Sequence, residues 1–376
     1  MTLAPFSFAT AGLIRFGRGT LAEVAPYALA RARRILLVRS ASVAAADDLV
    51  RTLGRQAAVL EIVVRGEPDL PGVLAGCDTA RPFAPDLVIA IGGGAVIDHG
   101  KALAALVPAP HGPLRYLEVV GEGRPLDAAP LPLVAIPTTA GTGSEVTRNA
   151  VIQVPEAARK VSLRDPRLYP ALAIVDPALA ASCPRQVALA SGLDAVTQVI
   201  EPFVSTRATP VTDALCREAI PRGLSALHRL MDRPDDQAWD EMALTSLIGG
   251  IALAQAGLGA VHGLAGVIGG LTGAAHGAIC GTLLPQVLQA NRDRAAPGSP
   301  VRDRLDWIVG CIAELHGDLA GLARWARECG LPRLADLGLR PEDHARVVTE
   351  ARSSSSHATN PADLDDATLG AILARA

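Results

Sequence analysis

Short apolar runs rich in β-branched residues alternate with alanine-rich stretches of helical periodicity through the first half of the chain. Strands that alternate with helices form βαβ units, so this pattern predicts a Rossmann-like α/β fold with a mostly parallel sheet. The predicted strands are 35–39, 59–63, 87–91, 133–136 and 172–175, and the predicted helices include 20–32, 43–54 and 95–106.

The pattern changes near Asp176-Pro177, and beyond Pro184 there is only helical periodicity broken by Pro and Gly. We therefore predict two domains, an α/β nucleotide-binding domain over 1–180 and an all-helical domain over 181–376. The length of 376 residues favours the same division, because single cores usually stop growing near ~250–300 residues. Open α/β sheets bind ligands at the carboxyl ends of their strands, so we expect a ligand cleft there, facing the helical domain.

Residues 243–291 contain no Asp, Glu, Lys or Arg, which is long enough to span a bilayer. The stretch nevertheless holds Gln255, His262, His276 and many glycines. We interpret it as core helices and expect no membrane partner.

Composition narrows the function further. The net charge of -3, without any basic run, gives no basis for binding nucleic acid. The six cysteines are scattered without a CxxC pair, which is typical of reduced thiols in a cytoplasmic protein. The N-terminus lacks the basic start and apolar run of a signal peptide, so we expect no secretion.

Two loops follow predicted strands and are rich in the residues that bind phosphate or ribose. Gly92, Gly93 and Gly94 open a helix, where free backbone N–H groups and the helix N-terminus favour an anion. The second loop, 137–147, offers several hydroxyl groups and amides. The chain has only two lysines, Lys101 and Lys160, one in or after each loop. We therefore predict that both lysines belong to a phosphate-bearing cofactor site.

The helical half carries a candidate metal site. Asp194 and Gln198 lie four residues apart and so share one helix face, while His262 and His276 lie in the charge-free stretch. Each buried imidazole needs a partner, which Asp194 could supply as an ion pair or through a shared metal. Two His and one carboxylate form a set used for Fe(II) and accepted by Zn(II).

These residues closely resemble the iron-containing (group III, metal-dependent) alcohol dehydrogenase family. The resemblance covers nearly the whole chain, and the run 135–149 is very specific. It implies a dehydroquinate synthase-like architecture, with a dinucleotide-binding α/β domain and a helical domain that holds a divalent metal. It further implies a pyrophosphate at Gly92–Gly94 helped by Asp98, a nicotinamide and ribose near Thr138, Thr139, Thr142, Lys160 and Asn149, and metal ligands at Asp194, Gln198, His262 and His276.

Three positions depart from the family pattern. The second metal position is normally His but is Gln198 here, a weaker and neutral ligand. The place of a further histidine, four residues after His262, is Gly266, which removes a proton-relay group. Arg39-Ser40 stands where many members carry an Asp that rejects a 2′-phosphate, so Ser40 leaves both NAD(H) and NADP(H) open.

The resemblance implies reversible hydride transfer between NAD(P) and a small alcohol or its aldehyde or ketone. Asp194, His262 and His276 would act through a bound Fe(II) or Zn(II). It also implies a homo-oligomer, a dimer or a larger assembly, and we expect a homodimer in the cytoplasm. One alternative is a metal-independent reductase of an oxo acid, like the maleylacetate reductases, although those typically replace the residue at Asp194. Others are a lyase of the dehydroquinate synthase type and a protein that binds dinucleotide without chemistry.

Overall fold

The computed structural model describes residues 5–376, so the start of the chain, on which the signal-peptide expectation partly depends, lies outside the described residues. The described chain divides into two compact units. The α/β unit comprises 10–139 and 143–183, and the helical unit comprises 5–9, 140–142 and 184–376.

The α/β unit is built on a six-stranded sheet in which every pairing is parallel. The strands are β1 Ile14–Phe16, β2 Arg34–Ser40, β3 Ala58–Val64, β4 Leu87–Gly92, β5 Leu133–Pro137 and β8 Leu172–Val175, and their order in the sheet is β1-β8-β5-β4-β2-β3. This confirms the predicted fold class, and the five predicted strands all lie in the sheet. The unit's helices are α1 Val24–Leu29, α2 Ala44–Leu53, α3 Leu70–Phe83, α4 Gly94–Leu106 and α5 Pro177–Ala180.

Alternate residues of each central strand supply two separate cores, one on each face of the sheet. Leu36 and Val88 belong to one apolar cluster, whereas Leu37 and Ile89 belong to the other. A sheet covered on both faces has strands that are apolar throughout, which is why β4 is buried along its full length.

Two strands that the sequence pattern did not predict form an antiparallel hairpin, β6 Asn149–Val154 and β7 Arg159–Arg164. The hairpin forms its own two-stranded sheet, and β6 packs against α4. Its strands alternate buried with half-exposed residues, as expected for a ribbon with one covered face.

All regular elements after Pro184 are helices, as the sequence predicts. They are α6 Arg185–Val204, α7 Pro210–Asp232, α8 Asp236–Ala256, α9 Ala260–Thr272, α10 His276–Arg294, α11 Pro300–His316, α12 Leu319–Glu328, α13 His344–Arg352 and α14 Asp366–Arg375. Helix α6 packs against α7, α8 and α10 and forms the centre of the unit.

Some of these helices are apolar enough to cross a membrane. Helix α6 passes by length and composition, but 83% of its apolar window is buried inside the structure. Helices α8 and α9 pass only as a pair, and they meet at a bend of 100°. Burial of this extent is typical of the core helix of a globular unit.

Candidate functional site: a glycine loop and a buried ligand cluster

The glycine loop lies at the carboxyl end of β4 and leads directly into α4. Gly93 is the N-cap residue and supplies no side-chain cap, so the first N–H groups of α4 have no side-chain acceptor from the cap residue. A Cβ at Gly92 would lie 2.6 Å from Val96 Cγ2, so the close turn requires glycine. The free amides and the positive end of the helix can accept an anion such as a pyrophosphate.

Thr138 and Thr139 lie beside this loop because β5 pairs with β4. The pairing places Gly92 opposite Pro137, and the Thr138 backbone N–H donates to Gly92 O at 2.9 Å. The Thr139 side chain comes within 3.5 Å of the position of a Cβ on Gly93. Two of the predicted hydroxyl residues therefore adjoin the predicted phosphate loop, whereas Thr142 lies in the segment that belongs to the helical unit.

Lys101 does not have the role predicted for it. Its side chain is fully buried, and Nζ donates to Thr147 Oγ1 at 2.7 Å, Asn149 O at 3.0 Å and Ser144 Oγ at 3.2 Å. An ammonium has three N–H donors, and all three are used within the protein. The prediction that Lys101 contacts a cofactor phosphate is wrong; instead it ties α4 to the segment that leads into β6.

Asp98 belongs to the same network. Its carboxylate accepts hydrogen bonds from Ser144 Oγ and, at 3.0 Å, from the backbone N–H of Val151. Burial raises the pKa of Asp98, although Lys101, at 4.0 Å, opposes the rise. A contact between Asp98 and a pyrophosphate stays a prediction. Lys160 lies on β7, where Nζ is 3.5 Å from Glu67 Oε2, and its cofactor role also stays a prediction.

Ser40 ends β2 at the same carboxyl edge of the sheet, because β2 pairs in parallel with β4. The neighbouring Arg39 is buried, and its guanidinium contacts Asp47 and, at 3.3 Å, Glu61. The hydrogen bond that Arg39 donates to Asp47 raises the pKa of Arg39, so this cation is already paired. The residue left at the strand end is Ser40, whose uncharged Oγ lies 3.0 Å from Ser42 Oγ.

The helical unit contains a cluster of metal-ligand residues, in which Asp194, His262 and Cys280 are buried and His276 is half-buried. Each offers one ligand atom, and these four atoms all lie within 4.8 Å of one another. Asp194 lies on α6, His262 is the third residue of α9, and His276 begins α10. The structure therefore brings together Asp194, His262 and His276, with Gln198 hydrogen bonded to Asp194 and with Cys280 as an unexpected further member.

Two glycines allow α10 to approach α6 closely enough to form this cluster. A Cβ at Gly277 would lie 2.3 Å from Ala190 O and 3.1 Å from Asp194 Cβ. One turn later, a Cβ at Gly281 would lie 2.5 Å from Leu193 Cδ1. The contact therefore depends on the missing side chains, and it sets His276 Nε2 3.9 Å from Asp194 Oδ1.

Glu201 orients His262. Its Oε2 lies 2.6 Å from His262 Nδ1, while Oε1 accepts the backbone N–H of Val261 at 2.7 Å. A carboxylate at Nδ1 keeps a ring proton on that nitrogen and raises the basicity of the ring, so Nε2 is the atom that binds a metal in place of a second proton, as in many metal sites. Glu201 also neutralises the positive end of α9. The Glu201 side chain is closely packed, because a Cβ on Gly259 would lie only 2.7 Å from Glu201 Oε1.

Two polar atoms that point into the cluster have no hydrogen-bond partner among the described residues. Asp194 Oδ1 and His262 Nε2 are 3.3 Å apart, both are buried, and neither has a hydrogen-bond partner. Gln198 donates Nε2 to Asp194 Oδ2 at 2.9 Å, which leaves Oδ1 as the open oxygen. Buried polar atoms are normally satisfied, so this arrangement fits a bound cation.

The electrostatics favour positive charge at this place. Burial alone would lower the pKa of His262, yet its pKa lies well above its usual range because the carboxylates of Glu201 and Asp194 favour the protonated ring. Burial likewise opposes ionisation of Asp194, but its pKa is lowered by His262 and His276. Burial raises the pKa of the Cys280 thiol to about 12.

Sequence reasoning missed Glu201 and Cys280, although helical spacing could have found both. Glu201 lies seven residues after Asp194 on the same helix face, and Cys280 lies four residues after His276. All six cysteines are free. Gly266, one turn after His262, has no atom within 4 Å of where its Cβ would be.

Both units of the chain match known protein families. Residues 11–177 match the model of the iron-containing alcohol dehydrogenase family, and 188–376 match the model of its C-terminal domain. The chain is 31% identical to alcohol dehydrogenase 4 of Saccharomyces cerevisiae (strain YJM789) over 96% of each protein. It is 32% identical to lactaldehyde reductase of Escherichia coli (strain K12), over 88% of this chain and 87% of that protein.

A solved structure extends the agreement to the whole fold. The chain resembles sulfoacetaldehyde reductase from Bifidobacterium kashiwanohense in complex with NAD+, with a TM-score of 0.83 and 25% identity, over 99% of this chain and 98% of that one. The expected dehydroquinate synthase-like architecture is thereby confirmed. The chain belongs to the iron-containing alcohol dehydrogenase family, and it is an oxidoreductase of the alcohol dehydrogenase type.

Proposed function

We propose that the protein transfers hydride between NAD(P) and a small alcohol or its aldehyde or ketone, with a divalent cation held by Asp194, His262 and His276. The observation that carries the proposal is the pair of buried atoms without partners, Asp194 Oδ1 and His262 Nε2. One cation would satisfy both atoms at once. The relatives named above reduce small aldehydes or oxidise small alcohols by their names, which supports the substrate class.

A divalent cation at this site supplies a Lewis acid for the substrate oxygen, and a nicotinamide supplies or accepts the hydride. The chain's own residues position these groups. Glu201 keeps the proton of His262 on Nδ1. Gln198 holds Oδ2 of Asp194 and so directs Oδ1 into the cluster. With glycine at position 266, the proton of the alcohol would leave through ordered water or a cofactor ribose hydroxyl.

The amides at the start of α4 would bind the cofactor pyrophosphate between Gly92 and Gly94, with Thr138 and Thr139 beside them. Contacts from Asp98, Thr142, Asn149 and Lys160 are part of the same proposal. Ser40 carries no charge that would repel a 2′-phosphate, and we propose that NADP(H) is accepted as well as NAD(H). We also propose a cytoplasmic homodimer.

Replacement of Asp194 by Asn tests the metal role, because the amide keeps the shape of the side chain and removes its charge. We expect the turnover of short aldehydes with NADH or NADPH to fall at least ~1,000-fold, since Lewis-acid stabilisation is worth several kcal/mol. Binding of NADH, followed by its fluorescence, should persist, because Asp194 is not part of the glycine loop.

The matched control is Asp213→Asn, which removes a carboxylate paired with Arg304 in the same unit, away from the ligand cluster. The control should keep its turnover. Wild-type turnover in Asp194→Asn, together with activity that resists chelation, would refute the metal role. That outcome would favour the metal-independent reductase of an oxo acid.

A further inference from the structure

The thiol of Cys280 lies where a fourth metal ligand would be needed. It is one helical turn from His276 on α10, and Sγ is 3.6 Å from His276 Nε2. Ligand atoms of a tetrahedral zinc site, with bonds of ~2.0–2.3 Å, are separated by about 3.3–3.8 Å. The neighbouring separations are 3.3 Å from Asp194 to His262 and 3.9 Å from Asp194 to His276. These three separations lie in or close to that range, and all four ligand atoms lie within 4.8 Å of one another.

Gln198 is the competing candidate, because its Oε1 is buried and has no hydrogen-bond partner. Its Nε2, however, donates to Asp194 Oδ2 at 2.9 Å, which holds the amide beside the second oxygen of that carboxylate. An amide oxygen is also a weaker ligand for a borderline metal than a thiolate.

We propose that Cys280, as a thiolate, is the fourth protein ligand of the cation that the proposed function requires, and that the resident metal is Zn(II) rather than Fe(II). The inference rests on that proposed function. Thiolate ligands select Zn(II) over harder divalent ions, and Zn(II) commonly accepts mixed His, Cys and carboxylate shells. On binding, the thiol proton is released to solvent and the Sγ–metal bond forms.

Cys280, Gln198 and Glu201 then have two different roles. Cys280 contacts the metal, whereas Gln198 and Glu201 act as positioning residues through Asp194 and His262. Loss of a positioning residue typically lowers metal affinity ~10–100-fold, and we expect Cys280→Ser to lower zinc affinity by more than that.

Cobalt substitution tests the proposal without relying on activity. The protein is stripped of metal, reloaded with Co(II), and its absorption spectrum recorded. We expect one Co(II) per chain, with a thiolate-to-cobalt charge-transfer band in the near ultraviolet and strong visible bands of a four- or five-coordinate ion. The Gln198→Leu variant should keep the charge-transfer band, and Cys280→Ser should lose it. Cys216→Ser is the matched control, because Cys216 is buried in the same unit on α7, and it should keep the band.

The wild-type spectrum decides the question even if a variant fails to fold. One bound Co(II), released by Asp194→Asn but showing no thiolate band, would overturn the Cys280 assignment and leave the proposed function intact. Absence of Co(II) binding, together with turnover that is independent of metal, would refute the proposed function and this inference together. A competition between equimolar Zn(II) and Fe(II) under anaerobic conditions should load Zn(II), and preferential loading of Fe(II) would contradict the metal choice.

Discussion

Glu201 offers the sharpest test of how the protein prepares the ligand cluster. In the variant Glu201→Gln, the side chain can donate N–H to His262 Nδ1 instead of accepting from it. The imidazole proton would then move to Nε2, the atom that must be unprotonated to bind a metal. Because the carboxylate contacts His262 Nδ1 at 2.6 Å inside a buried site, no water can easily replace it.

The expected loss is a ~10–100-fold drop in zinc affinity, equivalent to about 1.4–2.7 kcal/mol. Zinc affinity would be measured by competition with a chromophoric chelator, beside urea unfolding of the metal-free protein. Glu201→Gln keeps one oxygen for the Val261 N–H, so we expect stability to fall by only ~1 kcal/mol.

The control Asp213→Asn disrupts the pair between Asp213 and Arg304 and should lower stability without changing zinc affinity. Unchanged zinc affinity in Glu201→Gln, with the fold intact, would refute the idea that this carboxylate sets the tautomer of His262. A drop in affinity that merely follows the loss of stability in both variants would refute it as well.

Three further changes test other parts of the structure. Gly277→Ala places a Cβ 2.3 Å from the backbone oxygen of Ala190, so α10 must shift; we expect at least ~10-fold weaker zinc binding by chelator competition. Asp165→Asn tests a depressed pKa, because hydrogen bonds from Arg167 lower the pKa of the buried Asp165 to about 2. The ionised carboxylate therefore contributes roughly 2 kcal/mol to the free energy of unfolding above pH ~4, and this contribution is lost as the pH falls towards 2. Urea unfolding should therefore show destabilisation at pH 7 that shrinks in acid. Ser40→Asp should repel a 2′-phosphate and shift kcat/KM at least ~10-fold towards NADH.

Each of these expectations has a contrary result. Normal zinc affinity in Gly277→Ala would mean that α10 can tilt without disturbing its ligands; Gly310→Ala, with no atom within 4 Å of the new Cβ, is the control. Destabilisation by Asp165→Asn that is equal at pH 7 and pH 3 would show that its charge is not the cause. Unchanged selectivity in Ser40→Asp would place the ribose away from the end of β2.

The sequence pattern predicted the parallel sheet well because its strands are buried on both faces and carry long β-branched runs. The hairpin of β6 and β7 escaped prediction because its strands mix polar and charged residues with apolar ones over only six positions each. The low lysine count suggested two phosphate ligands, but Lys101 is buried among hydroxyl groups that follow β5. The local sequence pattern around Lys101 does not predict those partners.

The ligand cluster was predicted in part for a similar reason. Asp194, His262 and His276 are unusual residues in apolar surroundings and so are visible in the sequence. Their meeting depends on Gly277 and Gly281, and a glycine within a helix does not reveal which neighbour approaches it. Cys280 was overlooked because a lone buried cysteine is ordinary, and only the approach of α10 to α6 gives it partners.

The most direct test of the central claim is the metal content of protein purified without chelator, measured together with NAD(P)H oxidation of short aldehydes before and after chelation. We expect about one zinc per chain, loss of activity on chelation and recovery when Zn(II) is returned. Protein that lacks metal yet keeps its full activity in chelator would contradict the claim that Asp194, His262 and His276 act through a metal.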